Sequence, residues 1–129
     1  MSQPEIITIE DSISVVKDNC TRVNYFIFNE YEIHLNTIPS GAVQEWHFHS
    51  KLEESILILT GELLLSWQDH GQIYNQLLKE GTIVRVKDSV HTFSNTSSRD
   101  TTFVVFRFIP DGQDKRELIK NDKTIVKII

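Results

Sequence analysis

The stretch Gly41-Ala-Val-Gln-Glu-Trp-His47-Phe-His49-Ser-Lys-Leu-Glu-Glu54-Ser-Ile-Leu-Ile-Leu-Thr-Gly61 decides how the rest of the chain is read. His47 and His49 are two apart in a segment, Gln44–His49, that reads as a strand. Side chains alternate faces along a strand, so both imidazoles are expected on one side and Phe48 on the other. Two residues of strand span roughly 6.5–7 Å, close enough for two ring nitrogens to converge on one ion. Ser50–Glu53 then forms a short connection, and Glu54 opens the next strand. An anionic oxygen beside two neutral nitrogens suits Fe, Mn, Ni, Co, Cu or Zn better than Ca or Mg.

Outward from that stretch the chain reads as strands nearly throughout. The runs are Glu5–Glu10, Arg22–Phe28, Tyr31–Ile38, Gln44–His49, Ser55–Thr60, Glu62–Gln68, Ile73–Leu78, Thr82–Val86, Val90–Asn95 and Thr102–Ile109. They are rich in Ile, Val, Phe, Tyr and Thr. Turn residues separate them at Asn29-Glu30, Pro39-Ser40-Gly41, Asp69–Gln72, Glu80-Gly81 and Ser97–Asp100. That spacing predicts an all-β sandwich or barrel. Asp111–Asp122 is polar and is expected as a short helix or a solvated loop. Thr124–Ile129 is apolar and is expected to close the chain as a last strand. No linker or repeat interrupts the chain, so one domain over residues 1–129 is expected.

A second informative stretch runs from Gly81 to Asn95, with a polar turn at Lys87–Ser89 and His91 at the head of a strand. In a closed barrel that strand can lie near the first pair of histidines, which makes His91 a candidate fourth ligand. Three histidines and one glutamate leave open positions on an octahedral ion, as catalytic metal sites do.

Together the two stretches resemble the two motifs of the cupin superfamily. The first is Gly, five residues, His-x-His, three or four residues, Glu, six residues, Gly; Gly41, His47, His49, Glu54 and Gly61 occupy every fixed position. Glu53 is the rival for the glutamate, and the six residues between Glu54 and Gly61 favour Glu54. The second is Gly, five residues, Pro-x-Gly, two residues, His, three residues, Asn. Gly81, His91 and Asn95 match it, while Lys87 and Ser89 replace Pro and Gly and one residue is missing before His91. The resemblance covers about residues 41–95. It implies a double-stranded β-helix (a jelly-roll barrel) with a metal in its open interior, ligands at His47, His49, Glu54 and His91, and often a homodimer. The ligand set is similar to that of flavonol dioxygenases and oxalate-degrading members. It differs from thiol dioxygenases, which lack the glutamate, and from metal-free sugar epimerases. The implied function is a mononuclear metal-dependent, oxygenase-like enzyme on a small organic molecule, with Glu54 as a possible proton shuttle. A non-enzymatic binding or sensing module and a metal-dependent isomerase or decarboxylase are the rival readings.

Other residues receive plainer expectations. Phe93 shares a strand face with His91 and would line the same cavity. Arg107 alternates with Phe103 and Val105; facing inward its fork can anchor a carboxylate, facing outward it is an ordinary rim arginine. His34 is expected as a surface or hydrogen-bonded strand histidine, and His70 as a solvated turn residue. Trp46, Phe48 and Trp67 suit a dimer contact as well as a core. Cys20 is alone, which excludes a disulfide framework and cysteine-rich zinc sites and points to the cytoplasm. The net charge of −5 disfavours nucleic acid and anionic membranes as partners. No segment reaches the ~18 apolar residues of a membrane span, and the acidic N-terminus lacks the features of a signal peptide. No Gly-x-Ser-x-Gly elbow or phosphate-binding glycine loop is present.

Overall fold

The structure is a computed structural model that describes residues 2–128. Nine strands form two antiparallel sheets. The larger contains β1 (Ile13–Val16), β2 (Arg22–Ile27), β3 (Tyr31–Ile38), β9 (Thr101–Phe108), β4 (Glu53–Thr60) and β7 (Ile83–Arg85), in that spatial order. The smaller contains β6 (Gln72–Leu78), β5 (Leu63–Asp69) and β8 (Val90–Ser94). Between them lies one hydrophobic cluster: Ile38, Ile56, Ile58, Leu63, Leu78, Val86, Phe93, Phe103 and Val105. It closes the two-layer, jelly-roll arrangement the strand pattern predicts. Among the described residues no helix is long and apolar enough to cross a membrane.

Register places the polar residues. Glu32 pairs with Arg107 and Arg107 with Glu54 across β3, β9 and β4. The next inward row is His34, Val105 and Ile56, and the one beyond it is Asn36, Phe103 and Ile58. The inner face of the large sheet is therefore charged at one end and apolar at the other. Its outer face also carries apolar rows, Phe26–Ile33–Phe106 and Leu35–Val104–Leu57–Ile83.

Among the described residues three expected strands do not form. Gln44–His49 makes only isolated bridges, Val43 to Ser94 and His47 to His91. Four steps on this segment oppose three on β8, so an extra residue is bulged out and the ladder breaks. The segment still lies along β8, through Gln44 N–H to Phe93 O (2.9 Å) and reciprocal bonds between His47 and His91 (3.0 and 2.9 Å). Glu5–Glu10 is irregular and ends in a 3-10 turn at Ile9–Asp11. There the hydroxyls of Thr8 and Ser12 donate to Asp11 Oδ2 (3.1 Å) and Ile9 O (2.6 Å), local bonds that compete with an extended chain. The strand follows at Ile13–Val16 instead. The C-terminal segment forms a helix, α1 (Arg116–Asn121), and no strand after it. An apolar run becomes a strand only beside a sheet edge, and Ile125 and Val126 are exposed, pairing with none; Ile129 lies outside the described residues.

Gly41 and Gly61, the outer glycines of the first motif, both have left-handed backbone, φ 81° and 82°. Their surroundings differ. A Cβ on Gly41 would meet nothing within 4 Å, whereas on Gly61 it would lie 2.6 Å from Thr101 Oγ1 and 3.0 Å from Asp100 O. Gly41→Ala should cost about 1–2 kcal/mol, the left-handed penalty alone. Gly61→Ala should cost a further ~1–3 kcal/mol of overpacking. Urea unfolding of the two variants checks this, and equal losses would show that the contact relaxes freely.

Candidate metal centre

His47, His49 and His91 converge at the charged end of the interior. One ring nitrogen from each lies within 4.8 Å of the others, a set that can hold a metal ion. The ring centroids are 4.5 Å (His47–His91), 5.2 Å (His47–His49) and 6.0 Å (His49–His91) apart. His91 is fully buried, delivered by the turn in which Lys87 adopts left-handed backbone (φ 54°). The replaced Pro and Gly of the second motif thus leave the histidine in place. His49 follows His47 on irregular backbone just past the bulge rather than in a regular strand, and Phe48 between them is 59% exposed.

Backbone carbonyls select the tautomers. His47 Nδ1–H donates to Glu45 O (2.8 Å) and His91 Nδ1–H to Ser89 O (2.9 Å). A carbonyl can only accept, so each Nε2 keeps its lone pair. This is the support usually found behind metal-binding histidines. Burial is the leading cause that lowers the pKa of both His49 and His91, with Glu54 opposing it in each. Neutral rings are the form that binds a metal.

Glu54 is buried on the first inward position of β4, with Oε2 2.6 Å from His49 Nε2. That contact lacks hydrogen-bond geometry: His49 Nε2, His91 Nε2 and Glu54 Oε2 are all buried without a hydrogen-bond partner. Buried polar atoms normally have partners, and three orphans in one place need an explanation. Neighbouring donors on an ion with bonds of about 2.1 Å lie roughly 3 Å apart; the His49–Glu54 contact is close to that spacing, while the set of mutually close donors is the three histidines without Glu54. Glu53 points away and makes a two-point pair with Arg85, through Nε and through Nη2 (3.1 Å). That pair holds the Glu53 carboxyl below the usual carboxylate range.

His47, His49 and Glu54 open on a cavity of about 650 Å³ whose lining includes Phe93, Phe103, Ile56, His34, Asn36 and Arg107. Phe93 stands edge-on to His91 at 5.5 Å. Arg107 faces inward, its Nη2 3.6 Å from Glu54 Oε2. His34, expected only as an ordinary strand histidine, is buried in the cavity wall with Nε2 2.8 Å from Glu32 Oε1 and its ring against Tyr25. The clue to it and to Asn36 is alternation on β3, but only the pairing of β3 with β9 shows which face is inner. His70 is solvated and paired with Asp69. Cys20 is exposed, on left-handed backbone with φ 70°. Trp46 is exposed, and Trp67 stacks on Tyr74.

The buried histidines make metal-free protein acid-sensitive. Burial lowers the pKa of His34, His49 and His91 below the ordinary 6.5. As pH falls through about 6.5, the unfolded chain takes up protons that the folded chain resists, so stability is present above that pH and lost below it. Melting of chelator-treated protein from pH 8 to 5 should show a falling midpoint below about 6.5, and a rising one would contradict the burial argument.

No protein-family model and no curated protein sequence matches the chain. Solved structures do. A predicted oxalate decarboxylase from Thermotoga maritima aligns with TM-score 0.69 and 17% identity, over 82% of this chain and 100% of its own. The cupin domain of an XRE-family transcriptional regulator from Enterobacter cloacae gives 0.59 and 23%, over 70% and 97%. The capsular polysaccharide assembling protein CapF from Staphylococcus aureus gives 0.67 and 15% over 77% of this chain, which spans only 28% of CapF. At these identities the likeness is one of fold: the chain has the cupin fold.

Proposed function

We propose that the protein is a mononuclear metal-dependent enzyme on a small organic molecule, with His47, His49, Glu54 and His91 as ligands of one divalent transition metal. The observation that carries this is the convergence of one ring nitrogen each from His47, His49 and His91, with Glu54 Oε2 2.6 Å from His49 Nε2, beside a cavity large enough for a substrate. Such an ion would supply Lewis-acid or redox chemistry. The chain's own residues have definable tasks. The carbonyls of Glu45 and Ser89 hold the imidazole tautomers. Phe93, Phe103 and Ile56 exclude water from the inner wall. Glu54, beside His49 and near Arg107, is placed to accept or return a proton from a bound molecule.

Two likenesses favour rival readings. The fold shared with the domain of a transcriptional regulator supports a sensing module that binds without turnover. The fold shared with a predicted oxalate decarboxylase supports lyase chemistry without oxygen consumption. Fold alone does not choose between them.

Anaerobically purified protein should contain close to one transition metal per chain, and His49→Ala should lose most of it. A fully loaded His49→Ala protein would overturn the ligand assignment. Oxygen uptake with flavonols, diketones and organic acids should accompany product formation if the chemistry is oxygenase-like. Product without oxygen loss selects the decarboxylase or isomerase reading, and binding without product selects the sensor.

A further inference from the structure

Arg107 has donors that the fold does not use. Its Nε is buried and makes no hydrogen bond, and its Nη2 is 3.6 Å from Glu54 Oε2, beyond hydrogen-bond reach. Glu32, its pairing partner on β3, has Oε1 engaged by His34 Nε2. The side chain is 31% exposed and lines both the metal-side cavity and a smaller depression beside Glu32 and Phe108. A buried guanidinium N–H without an acceptor costs stability, which a purely structural arginine would avoid by turning outward. Asn36 contributes a second buried, unpartnered side-chain atom, Oδ1, to the same wall.

Charge points the same way. The cavity lining sets Lys17 and Arg107 against Asp18, Glu45 and Glu54, one negative charge in excess, which a divalent cation on the trio would turn positive. Around them the wall is apolar, with Val23, Ile56 and Phe103. We propose that Arg107 is the anchor for a ligand carboxylate, so that the molecule taken up is a small organic acid. Its carboxylate lies on the guanidinium fork, and its short carbon skeleton rests on the apolar wall. The part of this that turns a second oxygen toward His47, His49 and His91 rests on the metal reading above; the Arg107 contact does not.

The test uses the full chain, chelator-treated and metal-loaded, with calorimetry and thermal shift. The probes are pyruvate and malonate, their uncharged amides pyruvamide and malonamide, and inorganic phosphate. Wild-type protein should bind the acids in preference to the amides. Arg107→Gln should weaken acid binding by about 10- to 100-fold, the scale of a charge-assisted hydrogen bond, without changing metal content. Arg107→Lys should recover part of the loss. Equal binding of acids and amides overturns the proposal even if no variant folds, as does undiminished acid binding by Arg107→Gln or binding of phosphate alone. Wild-type protein that takes up no metal sinks the metal reading instead, and Arg107-dependent acid binding by the chelator-treated chain would survive that result.

Discussion

Two backbone hydrogen bonds hold the centre of this molecule together: His47 N–H to His91 O and His91 N–H to His47 O. They form one closed pair at the point where an irregular segment meets β8. Neither bond involves an imidazole, yet together they fix both rings, because a side chain's position follows from its Cα and one or two torsions. The bulge upstream is part of the same constraint. With one residue more than β8 between the two bridges, the segment is locally twisted, and such bulges re-aim side chains beside functional sites. The segment also runs directly from Gly41, whose N–H donates to Asn95 O (2.8 Å), so the start of the first motif is tied to the end of the second.

The interior then divides into two regimes. Toward Ile38, Ile58 and Phe103 the two sheets bury apolar side chains, and stability resides there. Toward Glu54, Arg107 and the histidines the same strands bury groups that lose hydration. Asn95 shows what a stabilising buried polar group looks like. Its Nδ2 donates to Ile38 O (2.9 Å) and Arg99 O (2.7 Å), and its Oδ1 accepts from Ser97 N (3.0 Å). The histidine–glutamate cluster is the opposite case, with donor atoms left open. Open valences at a buried position are tolerated where a ligand completes them, and perturbed, desolvated groups gather at functional sites for that reason.

Much of this was legible in the residues. Turn residues bounded most strands to within a residue or two, because β-branched and aromatic runs between Gly, Pro, Asn and Asp leave few alternatives. The spacing of Gly41, His47, His49, Glu54 and Gly61 located the cluster, since a motif of that kind encodes a local backbone path. What stayed hidden depended on pairing between distant segments. The bulge at residues 44–46 exists only relative to β8. The fate of Thr124–Ile128 depended on whether any sheet edge was free to take it. The 3-10 turn at Ile9–Asp11 turned on two hydroxyl bonds that apolar alternation does not report.

Arg107 shows why the inner face was the hardest part to read. Its strand alternates Thr102, Val104, Phe106 and Phe108 with Phe103, Val105 and Arg107, and both sets are largely apolar. The usual rule assigns the apolar set to the core and the polar set to solvent. Applied here, it would send Arg107 outward, since the rival set carries two phenylalanines. The structure reverses this, because the outer face of the large sheet is itself apolar across β2, β3, β9, β4 and β7. When both faces can be buried, hydrophobicity no longer distinguishes them, and the charged residues do. Glu32, Arg107 and Glu54 stand at one level of neighbouring strands, and His34 lies one row further in. Opposite charges directly across neighbouring strands favour one another, and the open polar atoms beside this row mark where the interior is not closed by packing.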